Sequence, residues 1–174
     1  VGVWVYPFVS RYSAVLSGTK PPLISSFETF YRSSRSRIYR AVALTLSDSD
    51  LALDATEEAM TRAAGRWSEV GGYENPSGWV YRVAVNWART RLRRWSRENK
   101  GLDFEPGYEQ RLPDPELVDA VMTLPLSYRT VIVARFFLDM SVAETAEMLR
   151  IPQGTVKTRT FRALERLRSV VEET

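Results

Sequence analysis

From Ser141 to Arg168 the sequence SVAETAEMLRIPQGTVKTRTFRALERLR carries two apolar stripes of helical period separated by a break. Val142, Ala146 and Leu149 form the first stripe. Ser141 stands where an N-cap belongs and Glu144 follows three residues later, the spacing of a capping box. Ile151-Pro152 stops that helix, and Pro152 with Gly154 marks a turn. Thr155 opens a second helix with its stripe at Val156, Thr160, Ala163, Leu164 and Leu167. Two short helices about a tight turn make a helix-turn-helix pattern.

The same period runs through the earlier chain. Phe27, Phe30, Tyr31, Ile38, Val42 and Leu46 predict a first helix with Ser25 or Ser26 as its cap and a scaffold role. A second is predicted from Ser49 to about Trp67, and Gly71-Gly72 ends it. After the polar loop Tyr73-Glu74-Asn75-Pro76-Ser77-Gly78, a third helix is expected from Trp79, with Val80, Tyr81, Ala84, Val85, Ala88, Leu92 and Trp95 on its apolar face. Residues 96–115 lose periodicity and collect Pro and Gly among charges, which reads as a linker. Leu117, Val118, Val121 and Leu124 then start a helix that Pro125 interrupts, and Ser127 to Leu138 supplies another. The pattern predicts an all-α protein of two small helical domains, 27–97 and 115–172, joined by a flexible linker at 98–114, the second a helix-turn-helix bundle. Residues 1–26 begin with a short aromatic run, VGVWVYPFV, too short to cross a membrane and interrupted by Pro7. They read as a poorly ordered tail or as a docking arm.

The polar faces suggest chemistry. Opposite the stripe of the last helix lie Thr158, Phe161, Arg162 and Glu165, flanked by Lys157 and Arg159. Cations near a helix start, with an apolar group that can meet a thymine methyl, suit a helix entering the major groove. The alternative is a solvated bundle helix with Phe161 tucked against a neighbour. On the helix from Trp79, the polar face combines Trp79, Arg82, Asn86, Arg89, Thr90 and Arg93, with Trp87 at its border. Guanidinium groups neutralise phosphates, an amide reads adenine, and an exposed indole stacks on an unpaired base. A basic surface helix whose Trp79 fills the core is the competing description. Asp54, Glu57 and Glu58 sit side by side on the second helix, where like charges repel. Either an external cationic partner relieves them or they are a solvated, dipole-favoured cluster.

Composition narrows the classes. Cys and His are both absent, which removes disulfides, Cys/His zinc sites, thiol nucleophiles and imidazole bases. With no Gly-rich phosphate loop either, an enzyme is not expected, nor a cofactor or metal. The net charge of +3 is modest, but the arginines cluster.

Taken in order, LDATEEAMTRAAGRW, GWVYRVAVNWARTRLRR, LPLSYRTVIVARFFLDMSVAETAEML and PQGTVKTRTFRALERLR resemble the motifs of bacterial RNA polymerase sigma factors of the extracytoplasmic-function class, over residues 27–172. The resemblance implies that Asp54, Glu57 and Glu58 bind the coiled coil of the largest polymerase subunit. It implies that Tyr73, Glu74 and Asn75, with Pro76, capture a flipped base of the minus-ten element. Arg82, Asn86 and Arg89, with Trp79 and Arg93 on the same face, would hold the non-template strand. Lys157, Thr158, Phe161 and Arg162, flanked by Arg159, would read the minus-thirty-five element. Core polymerase, promoter DNA and an anti-sigma factor are the implied partners, in the cytoplasm and without membrane insertion. Ala55, Ala59 and Gly65 stand where the family usually carries larger apolar residues, which suggests a looser acidic helix. The competing function is a stand-alone helix-turn-helix regulator that uses only the second domain; a helical adaptor without DNA contact would leave both cationic faces idle.

Overall fold

The computed structural model describes residues 26–98 and 115–172, and all regular structure among them is helical. The predicted tail, apart from Ser26, and the predicted linker, apart from Glu98, lie outside the described residues. Helix α1 spans Phe27–Leu46 and is capped by Ser26, whose side chain accepts from the Thr29 amide at 3.2 Å. Its first half is amphipathic as the pattern requires, with Phe30 and Ile38 buried. From Ala41 to Leu46, however, every residue is buried. A single stripe does not describe this end, because neighbours cover it on all sides.

Ser47 closes α1 in the left-handed region at φ 57°, and Asp48 caps α2 (Ser49–Gly65) by accepting from the Leu51 amide at 2.8 Å. Helix α2 does not reach Trp67: a separate turn, α3 (Trp67–Val70), follows a break at Arg66. Trp67 is thereby turned onto Phe30 and Phe27, at ring-centroid distances of 4.9 and 5.6 Å. Gly71 is required beside it, since a Cβ there would lie 2.8 Å from the Trp67 carbonyl oxygen and 2.9 Å from its ring.

Helix α4 (Pro76–Glu98) packs across α1 and α2. Its predicted inner face is observed at Val80, Tyr81, Ala84, Val85 and Ala88; Leu92 and Trp95 are only half-buried. In α2, Ala52, Ala55, Ala59 and Ala63 are fully buried. The expected looseness is therefore not observed, because small side chains at helical spacing let the axes approach closely. Gly65 terminates α2, with nothing near enough for a Cβ to meet.

The second half comprises α5 (Pro115–Thr123), α6 (Leu126–Ile132), α7 (Val142–Leu149) and α8 (Gln153–Glu172). The helix expected over Ser127 to Leu138 changes character at Val133, where α6 widens into a π-helical turn through Phe137. The capping box forms as predicted: Ser141 Oγ accepts from the Glu144 amide at 3.1 Å, and the Glu144 carboxylate accepts from the Ser141 amide at 2.7 Å. Arg150, at φ 54°, turns the chain between α7 and α8, which starts at Gln153 rather than Thr155. Val131, Ala146 and Val156 form a small core of the helix-turn-helix itself.

The remaining core is continuous across both halves, running from Phe30 and Tyr81 to Val121, Ala134 and Leu167. Polar bridges accompany it. Arg129 of α6 donates to the Thr45 carbonyl at 3.1 Å and to Ser47 Oγ, at the C-terminus of α1. Arg37 of α1 pairs with Asp139 at 2.7 Å and donates to the Phe137 carbonyl at 2.9 Å. The Tyr81 hydroxyl meets Thr45 Oγ1 at 2.7 Å and lies 3.4 Å from the Thr130 carbonyl. Thr45 spends its own proton on the Ala41 carbonyl, so Tyr81 donates to Thr45. Burial pushes the Tyr81 hydroxyl well above its ordinary range and keeps it protonated.

Candidate nucleic-acid interface

The stripe of α8 faces inward, with Val156 and Ala163 fully buried and Leu167 nearly so. Helical geometry then turns Lys157, Thr158, Phe161 and Arg162 outward, all exposed, with Arg159 half-buried beside them. Phe161 is 62% exposed, so the description in which it tucks against a neighbour does not hold. Thr158, Arg159 and Arg162 border a groove whose opposite wall is Ser127 and Tyr128 at the start of α6. Those two residues were not among the sequence candidates. They reach the groove only because α6 packs on α8, a contact between positions about thirty residues apart.

On α4 the predicted polar face divides. Asn86, Arg89, Thr90 and Arg93 are exposed, while Trp79 and Arg82 are half-buried. Trp79 packs partly on the core and partly lines a cleft of about 670 Å³, so the core-filling description of it holds in part. Arg82, Asn86 and Trp87 share that cleft, and Arg62 and Arg66 from the end of α2 join them. Sequence reasoning missed these two arginines, since only the packing of α2 along α4 brings them there. Arg91 lies 5.4 Å from the Trp87 ring centroid and holds that indole from the solvent side.

The loop before α4 is shorter than expected. The helix begins at Pro76, and Asn75 Oδ1 accepts from the Gly78 amide at 2.8 Å, an N-cap followed by proline at the first helical position. Asn75 therefore commits its side-chain oxygen to the cap, while its side-chain amide hydrogen-bonds the Glu144 carboxylate. Tyr73 and Glu74 are exposed. The Tyr73 hydroxyl donates to Glu69 at 2.5 Å, and Arg66 pairs with the other oxygen of that carboxylate at 2.6 Å. These bonds hold Glu69 below the usual carboxylate range, Tyr73 contributing most, and raise Tyr73 in return. Tyr73 and Asn75 thus stand just before α4, Trp79 and Arg82 in its first two turns and Asn86 at its middle.

Residues 115–167, which are α5, α6, α7 and most of α8, match the family model described as Sigma-70, region 4. The RNA polymerase sigma factor SigV of Bacillus subtilis is 32% identical over 135 residues, 75% of this chain and 81% of that protein. The ECF RNA polymerase sigma factor SigW of the same organism is 32% identical over 160 residues, 80% of this chain and 85% of the other. The chain belongs to the ECF RNA polymerase sigma factors. Its fold is also that of the sigma factor RpoE of Bartonella quintana, solved with the anti-sigma factor NepR, at a TM-score of 0.67 and 19% identity over 84% of this chain and 96% of that one.

In this sigma factor the acidic face of α2 is less bare than its sequence implies. Glu57 is gripped by Arg35 at 2.5 Å and lies 3.3 Å from the Tyr31 hydroxyl, both from α1. Glu58 pairs with Arg62 at 2.8 Å. Two of the three acids are thus paired within the chain. Arg35 is raised, chiefly by its hydrogen bond to Glu57. Asp54 is exposed without a paired cation among the described residues, beside an exposed Leu53. None of the described residues forms a cluster able to hold a metal ion, and none of the described helices is long and apolar enough to cross a membrane.

Proposed function

We propose that the chain binds core RNA polymerase, directs it to specific promoters and promotes opening of the DNA, acting in the cytoplasm and without covalent chemistry of its own. The observation that carries this reading is the presence of two separate cationic faces on one chain: Lys157, Thr158, Arg159, Phe161 and Arg162 on α8, and Trp79, Arg82, Asn86, Arg89 and Arg93 on α4. The first suits duplex DNA. A recognition helix presents its N-terminal half to the major groove, where cations reach guanine edges and phosphates. The second suits an unpaired strand, with indoles for stacking and guanidinium groups for phosphates. Tyr73, Glu74 and Asn75 stand at the same end of α4, where a flipped base of the minus-ten element would be held.

Binding only the unpaired strand shifts the duplex toward its melted form by the difference in affinity between the two states. Asp54, Glu57 and Glu58 supply the docking face for the coiled coil of the largest polymerase subunit, Asp54 being immediately available and Glu57 by exchange of Arg35 for a partner cation. An anti-sigma factor is the regulator expected, as in the RpoE complex. A stand-alone helix-turn-helix regulator would give neither the α4 face nor the acids a task.

Run-off transcription with core polymerase on genomic fragments tests the reading; absence of both start-specific transcripts and core binding would refute it. Asn86→Ala is expected to impair opening more than duplex binding, and Arg162→Ala to weaken upstream duplex binding. Equal loss of duplex binding in both contradicts the division of labour.

A further inference from the structure

On and just after α1 and α2, Arg32, Arg35, Arg37, Arg62 and Arg66 each hold a carboxylate within 2.8 Å. Along α8 the matching stops. Arg159, Arg162 and Arg166 form no ion pair among the described residues, although their three- and four-residue spacing sets like charges beside one another. At about 100° per residue the three fall, with Thr155, inside one arc of about 60°. That arc is not the middle of the outward face, where Thr158, Phe161 and Glu165 lie. It is the flank next to α6, where Thr155, Arg159 and Arg162 line the groove opposite Ser127 and Tyr128. No carboxylate lines that groove.

Tyr128 supplies an observation of a different kind. Its half-buried ring packs against the core, and the Arg166 guanidinium lies 5.3 Å from the ring centroid. Arg166 is itself exposed, one turn beyond Arg162. A cation laid on an exposed aromatic face gains a modest attraction. The more useful consequence is positional: a long side chain is held at the groove wall that the ring itself forms.

We infer that Tyr128 is a positioning residue for duplex binding, its ring presenting Arg166 to a phosphate of the upstream strand that runs along the groove between α6 and α8. The inference rests on the promoter reading above and adds two residues to it. A helix in the major groove turns its middle toward the base edges and its flanks toward the sugar-phosphate walls. Arg166 stands on such a flank, so it contributes affinity and register without reading sequence. Holding its guanidinium in place beforehand lowers the ordering cost of a rotamer-rich side chain.

The full chain is titrated by fluorescence anisotropy with a duplex taken from upstream of a start site mapped by run-off transcription, and with a scrambled duplex of the same composition. Wild-type preference for the promoter duplex checks the promoter reading itself; its absence overturns that reading and this inference together. Arg166→Ala is expected to weaken both duplexes by the same factor, roughly 3–10-fold near about 0.1 M salt, and to reduce the salt slope by about 0.9. The affinity lost between about 50 and 200 mM salt then shrinks by about 3.5-fold relative to wild type. Tyr128→Leu keeps apolar bulk but no ring face, and is expected to weaken binding about 2–5-fold when Arg166 is present and not at all when it is Ala. Tyr128→Phe keeps the ring and is expected to match wild type. A ring with a merely structural role would give equal losses in both backgrounds. That result, an unchanged salt slope in Arg166→Ala, or a Phe variant as weak as the Leu variant overturns the inference. The slope measurement concerns an exposed side chain, so it decides the matter even where Tyr128→Leu fails to fold.

Discussion

Arg129 is the side chain on which the joining of the two halves can be tested most directly. Its guanidinium is half-buried, faces no carboxylate among the described residues, and donates to the Met122 carbonyl at 2.6 Å, the Leu124 carbonyl at 2.9 Å and the Thr45 carbonyl at 3.1 Å, besides Ser47 Oγ. Burial lowers its pKa, though not enough for a guanidinium to lose its proton. Arg129→Met keeps most of the apolar stem and leaves three carbonyl oxygens without their donor. At about 1–3 kcal/mol for each orphaned group, offset by release from burying a cation, the expected net loss is about 3–5 kcal/mol. For a chain of this size that lowers Tm by roughly 6–20 °C. Arg129→Lys retains the charge but not the planar fork, and belongs between the two. Urea and thermal unfolding followed by far-UV circular dichroism measure both variants. A Met variant within about 1 kcal/mol of wild type would refute the view that this cation ties α1 to the ends of α5 and α6.

Two further predictions separate local roles. Phe161→Ala should leave stability within about 0.5 kcal/mol, because the ring is already in solvent, while weakening binding to upstream promoter duplex by about 1–3 kcal/mol in a titration; a large stability loss with unchanged binding would reverse that assignment. Glu144 is held below the usual carboxylate range, first by its hydrogen bonding with Ser141. Its depressed pKa makes the cap's charge contribution present above the unfolded value near 4.3 and lost as pH falls through the folded value. Glu144→Gln should accordingly cost about 0.5–1 kcal/mol at pH 7 and almost nothing near pH 3, as read from unfolding curves at both pH values.

Local rules written into neighbouring residues determined much of this protein from sequence alone. The Ser141–Glu144 capping box, the Pro152 stop, the inward stripe Val156–Ala163–Leu167 and the outward Phe161 all depend on spacings within one or two helical turns. The same is true of the exposed Asn86, Arg89 and Arg93 on α4. One local signal was legible but overlooked: Asn75-Pro76 is an N-cap with proline at the first helical position, which moves the start of α4 and commits the Asn75 oxygen.

Tertiary structure alone decided what depends on distant partners. Glu57 looks like an unrelieved charge until α1 brings Arg35 to it, and the all-round burial of Ala41–Leu46 appears only when the second half covers the end of α1. Ala55 and Ala59 read as a weak core in isolation, yet they permit close helix approach and are fully buried. The meeting of Arg82 with Met148 joins positions whose helices carry no periodic signal of one another. Helical period records which face of a segment avoids water; it does not record which surface provides the shelter. That choice follows from how all the faces fit together, and here it places the cationic helix α4 against the chain's own helix-turn-helix.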